Sequence, residues 1–230
     1  MAGSRTREFT RRAAEAHVSD EDRAADSEAD DALHEVLLGY ADRAKQTVTA
    51  SRNRSKNDAE QVYAALVLAL AGDTGRAETI SAEIAKRYPL DTLLDFYWLP
   101  TIRAAMQLSR NNPAKAVQEL EVTSRFELGD VMYSETAPLF PVYLRGQAFL
   151  ALHQGREAAA EFQKYIDHPG IVMNYPLGAL ARVGLARAYA VQDDPVKARA
   201  SYQDFFSLWK DADPDVPILK QAKAEYAKLQ

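Results

Sequence analysis

Ala148-Phe149…Ala158…Phe162-Gln163-Lys164 is answered later in the chain by Ala188-Tyr189…Ala198…Tyr202-Gln203-Asp204, each anchor displaced by 40 residues. Working outward, the small residue of this pattern recurs as Ala44, Ala77, Ala116, Ala158 and Ala198, at spacings of 33, 39, 42 and 40. Breaks punctuate the same rhythm: Gly39-Tyr40, Gly72-Asp73, Asn111-Asn112-Pro113, Gln154-Gly155 and Asp193-Asp194-Pro195. Each break follows an Ala/Leu-rich helical pattern and precedes another, so the chain reads as a run of helix–turn–helix units. Two antiparallel helices approach closely only where their crossing is small, which alanine supplies. The aromatics on either side fill the gap between one pair and the next. Pro89 and Pro169 fall just past second helices, where proline cannot continue them.

Tetratricopeptide repeats have a period of about 34 residues and HEAT-type repeats about 40–47. The intervals here lie between the two. The order of small residue, aromatic and alanine is the tetratricopeptide one, with the extra residues placed in links such as Asp167 to Pro176. A HEAT-like stack and a non-repetitive helical bundle are the alternatives. The expected fold is therefore all-α, a right-handed stack of helical hairpins forming a tetratricopeptide-like superhelix. It would be a single domain over 1–230, with about five pairs, a capping helix at 216–229 and residues 1–20 as an N-terminal extension. Helices are expected at 5–18, 21–38, 41–52, 57–71, 74–87, 91–110, 114–124, 138–153, 156–166, 176–191, 195–210 and 216–229. An irregular loop is expected from Glu127 to Pro138.

Composition agrees with helix: 47% of the 230 residues are hydrophobic, 27% are charged, and glycine and proline number only ten each. The net charge of −5, with both signs interleaved, argues against a nucleic-acid partner, which needs a basic face. The absence of cysteine excludes disulfides, thiolate metal sites and cysteine nucleophiles. No apolar run is long enough to span a bilayer, so membrane insertion is not expected. As written, with charged residues after the first seven, the chain is expected to be cytoplasmic.

The segments Arg145-Gly146-Gln147-Ala148-Phe149-Leu150-Ala151-Leu152, Glu161-Phe162-Gln163-Lys164, Asp167-His168-Pro169-Gly170-Ile171-Val172 and Leu208-Trp209-Lys210-Asp211-Ala212-Asp213-Pro214-Asp215 resemble the helical tails of bacterial signalling proteins. So do Ala69-Leu70-Ala71-Gly72-Asp73-Thr74 and Leu99-Pro100-Thr101-Ile102-Arg103-Ala104-Ala105. In that family the tail follows a eukaryotic-like serine/threonine kinase domain or a winged-helix domain, notably in acidobacteria. The resemblance covers most of residues 35–230 and implies a tetratricopeptide-type interaction region. The Gly-rich loop, His-Arg-Asp, Asp-Phe-Gly and Ala-Pro-Glu motifs of a kinase are missing, so kinase activity does not carry over. Were the tail cut from a membrane-anchored parent, it would lie outside the cytoplasm.

No catalytic or cofactor motif emerges. His17, His34, His153 and His168 are scattered, and the metal-protease pattern begun by His34-Glu35 fails at Leu38. The acidic runs Asp20-Glu21-Asp22 and Asp26 to Asp31 suit solvated helix faces, as does the mixed run holding Arg5, Arg7, Arg11 and Arg12. The functional expectation is a non-catalytic scaffold that binds a protein or peptide in its concave groove. Homo-oligomerisation through the apolar face of Val62, Leu66, Ala69 and Leu70 is a further option. Register places Trp98, Thr101, Tyr143, Gln147 and Arg187 on the concave side as partner contacts, with packing between repeats as the alternative for Trp98 and Tyr143. The alternative function is a sensory tail that takes a small ligand in an enclosed pocket.

Overall fold

Five interhelical turns have the same build. Gly39, Gly72, Asn111, His153 and Asp193 all take positive φ, between 55° and 98°. In every case the N–H of that residue donates to the carbonyl three positions back, and the next N–H donates to the carbonyl five positions before itself. This double bond closes the last turn of one helix and reverses the chain. The next helix then begins, and the alanine five residues after the positive-φ position donates to the carbonyl of its N-cap residue. All five alanines, Ala44, Ala77, Ala116, Ala158 and Ala198, are completely buried. The rhythm seen in the sequence is thus a repeated turn followed by a repeated tight crossing.

The computed structural model describes residues 20–54, 58–129, 139–173 and 175–230. The helix expected at 5–18, the basic run Arg5 to Arg12, and positions 130–138 of the expected loop lie outside these. Among the described residues there are twelve α-helices and no strand. They are α1 (Asp20–Leu38), α2 (Ala41–Arg54), α3 (Asp58–Leu70), α4 (Thr74–Arg87), α5 (Leu99–Ser109), α6 (Pro113–Glu119), α7 (Phe140–Ala151), α8 (Gly155–Asp167), α9 (Pro169–Val172), α10 (Pro176–Val191), α11 (Pro195–Leu208) and α12 (Pro217–Ala227).

Helices pack as neighbouring pairs: α1 on α2, α3 on α4, α5 on α6, α7 on α8 and α10 on α11. First helices also pack on one another in order, α1 on α3, α3 on α5, α5 on α7 and α7 on α10, while α8 rests against α10. One continuous core runs from Ala29 to Ala188, and a smaller one of Val183, Ala186, Tyr202, Phe205, Leu219 and Ala222 seats α12. The chain also meets itself end to end. α1 touches α10, the His34 ring lies 5.1 Å from that of Tyr175, and a Cβ on Gly39 would stand 2.9 Å from Pro217.

Two local departures from the expected helices have physical causes. The segment 91–110 is not one uniform helix: Leu94–Trp98 is a π-helical turn in which the N–H of Leu99 reaches back to the carbonyl of Leu94. Pro100 has no N–H to give Phe96, and its ring crowds that carbonyl, so the turn widens. Tyr97 and Trp98, adjacent in sequence, are both buried. Likewise 114–124 is α-helical only to Glu119 and then tightens into a 3-10 turn, Glu121–Arg125. There the hydroxyl of Thr123 donates to the carbonyl of Leu120 at 2.8 Å, competing with the helical ladder. The link from Asp167 to Pro176 carries the short helix α9.

Candidate interaction site

The side chains expected on a concave surface divide into two groups. Trp98 is 1% exposed and Thr101 fully buried, so neither offers surface to a partner. The Trp98 ring meets Tyr63 and Tyr97 edge-on at 5.4 and 5.0 Å. The Thr101 hydroxyl donates to the carbonyl of Tyr97 within its own helix. Both side chains lie in the interior, beneath the surface that register assigns them. Val62, Leu66 and Ala69 are buried and Leu70 half-buried, so neighbouring helices cover that apolar face.

Tyr143, Gln147 and Arg187 do come together, on α7 and α10. Tyr143 is half-buried, lies beside Gln147, and packs edge-on against Phe162 and Tyr165 at 5.9 and 6.5 Å. Burial pushes its phenol up, outweighing the opposing pull of Arg187 and Gln147. Arg187 is engaged within the chain: its Nε and Nη2 donate to Glu225 Oε2 and Oε1 at 2.9 and 3.0 Å. The Tyr202 hydroxyl donates to Glu225 Oε2 at 2.6 Å, so this cluster ties α10, α11 and α12 together.

A second polar tie is deeper. Arg145, on α7, donates to Glu127, to Glu161 Oε2 at 3.0 Å and to the Leu120 carbonyl at 3.1 Å. Burial alone would depress the Arg145 guanidinium, but the two carboxylates hold it above its usual value. The Thr123 hydroxyl, 3.0 Å from Glu127, shares its one proton between that carboxylate and the Leu120 carbonyl, and Lys164 donates to Glu161 at 2.9 Å. These are structural uses of charge: each carboxylate has its donors, and the group fixes α6, α7 and α8 relative to one another.

The interior near the first helix is rich in phenols. Burial pushes Tyr97, Tyr165 and Tyr175 upward, reinforced by neighbouring phenols and by Glu127 or Asp30. They remain neutral; the Tyr165 hydroxyl donates to the Leu139 carbonyl at 2.6 Å, whereas the Tyr97 and Tyr175 hydroxyls are buried without a hydrogen-bond partner among the described residues. Among the described residues no cluster of three or more His, Asp or Glu side chains could hold a metal ion.

An open cleft of about 340 Å³ lies where the α8–α9–α10 link meets the end of α11. Tyr165, Val172, Met173, Tyr175, Arg182 and Trp209 are among its lining residues. Met173 is 65% exposed and Leu208, on the opposite lip, 57%. Among the described residues Arg182 is the one charged group lining it. Arg182, Trp209 and Tyr175 did not stand out in the sequence, because the cleft is assembled from four elements separated by turns. The available signal was the punctuation of the link by Pro169, Gly170 and Pro176, which marks an irregular junction without indicating what it would enclose.

Comparison of the chain with protein-family models, with curated proteins and with solved structures finds no match.

Proposed function

We propose that this chain is a non-catalytic helical-repeat interaction module, a tetratricopeptide-like superhelix serving a regulatory or signalling role by holding a protein or peptide. The observation that carries the reading is the fivefold recurrence of one turn and one buried alanine crossing. Such repetition builds a rigid framework from interchangeable units, and frameworks of this kind act by presenting surface. The disposition of charge agrees. Arg145, Arg187, Glu127, Glu161 and Glu225 are spent on fastening helices. The preferred binding surface shifts from the inner face named by Trp98 and Thr101 to the cleft at the α8–α10 junction, where apolar side chains are exposed. No described helix is long and apolar enough to cross a membrane.

Panning a random displayed heptapeptide library on the folded chain tests this. The expected result is a recurring motif whose synthetic peptide binds at one site and raises the melting temperature. Enrichment no better than on bare support would sink it. The sensory-tail reading stands second: the cleft's volume is at the lower end for small-molecule sites, but the cleft is open where that reading calls for an enclosed pocket. A thermal-shift screen that found small ligands where panning found no peptide would select that alternative.

A further inference from the structure

Arg182 is half-buried, and its Nη1 donates to the Gly178 carbonyl at 2.7 Å. Among the described residues that is its sole hydrogen bond, and no carboxylate pairs with it. The other half-buried arginines on first helices are matched: Arg103 with Glu119 at 2.7 Å and Arg187 with Glu225. A partly desolvated guanidinium without a counter-charge is unfavourable, and its planar fork is suited to a carboxylate. The bond to Gly178 pins the group over the first turn of α10, at the positive end of that helix. Around it Val172 and Met173 on one side and Leu208 and Trp209 on the other contribute apolar and aromatic wall beside polar surface, and no described acidic residue lines the cleft. Gly178 sets the depth: a Cβ there would stand 2.7 Å from Val172 Cγ1, so α9 seats closely on α10 only because this residue is glycine.

We propose that this cleft docks an acidic-apolar peptide segment, with a Glu or Asp carboxylate received by Arg182 and a neighbouring large apolar side chain laid between Trp209 and Met173. The proposal rests on the interaction-module reading and names its partner's chemistry. Charge complementarity selects the acid, and the exposed Met173 and Leu208 select its apolar neighbour. A cleft of about 340 Å³ has room for that pair of side chains and little more.

Two displayed heptapeptide libraries test it, random except for a central Glu in one and a central Gln in the other. The full chain should enrich the Glu library about tenfold over the Gln library, the size of one charge-assisted hydrogen bond at a partly exposed site. Arg182→Gln, with folding checked by circular dichroism, should abolish that preference. Arg182→Lys should retain part of it, since charge survives and the fork does not. Equal enrichment of both libraries, or a Glu preference unchanged by Arg182→Gln, would overturn this assignment and leave the interaction module standing. Failure of both libraries to enrich would overturn the module itself.

Discussion

Replacing Gly184 by alanine puts a methyl group where the Phe162 ring already lies. A Cβ on Gly184 would stand 2.6, 2.6 and 2.7 Å from three ring carbons, where ordinary contact begins near 3.4 Å. The ring cannot step aside, because on its other face a Cβ on Gly146 would stand 2.7 Å from it. Phe162, wholly buried on α8, is a plate slotted between glycines of α7 and α10. In a solvated helix Gly→Ala stabilises by about 1 kcal/mol. Overpacking a filled core costs about 1–3 kcal/mol, and this site is at the upper end because relief is blocked on both sides. The net expectation for Gly184→Ala is a loss of about 1–2 kcal/mol, seen as a lower urea midpoint and a melting temperature lower by roughly 2–8 °C. Shrinking the plate should reverse the sign. In a Phe162→Leu background, itself weaker by about 1–3 kcal/mol, Gly184→Ala should become neutral or stabilising. A wild-type chain stabilised by Gly184→Ala, or a penalty undiminished in the Phe162→Leu background, would refute the slot.

Four further outcomes follow from the same structure. Arg145→Met should destabilise by about 3 kcal/mol in urea titrations, because it leaves the buried Glu127 and Glu161 with the more exposed Lys164 as their remaining described cation; a change under about 1 kcal/mol would contradict that role. At Glu225, burial pushes the carboxyl up, but hydrogen bonds from Arg187 and Tyr202 outweigh it and hold the group below 4.5. A depressed carboxyl contributes stability above the unfolded value that is lost as pH falls through the folded one. Glu225→Gln should therefore remove part of the stability difference between about pH 5.5 and pH 3.5, and an unchanged acid response would tell against the tie. His153→Gly should stabilise by about 0.5–1 kcal/mol, since His153 holds a φ of 57° that glycine adopts freely. Asn111→Gly, at φ 58°, should gain less because asparagine tolerates this region.

The repeat was legible because its parts are local. Helix, turn and alanine crossing recur within short windows, so Ala44 through Ala198 and the breaks before them locate the hairpins without knowledge of what packs where. The register of each face was harder to read. Helical register says which residues share a face but not that neighbours cover every face, and here residues 97–102 are all buried. Packing of α5 against α3, α4, α6 and α7 removes Trp98 and Thr101 from any surface. Arg187 sits where register suggests, yet Glu225, 38 positions later, takes its donors. Nothing near Arg187 in the sequence announces that pairing. The cleft was least legible: Tyr165, Met173, Arg182 and Trp209 meet only through the placement of four elements. The residue that most marks it, Arg182, is conspicuous for having no carboxylate partner among the described residues, a property defined by the fold.

Amide hydrogen exchange of the full chain, with and without the peptide enriched by panning, tests the central claim most directly. The account predicts slowed exchange concentrated in 165–182 and 205–210, lining the cleft, with the buried helices around Trp98 unchanged. Protection that appeared elsewhere, or an exchange pattern indifferent to saturating peptide, would contradict it.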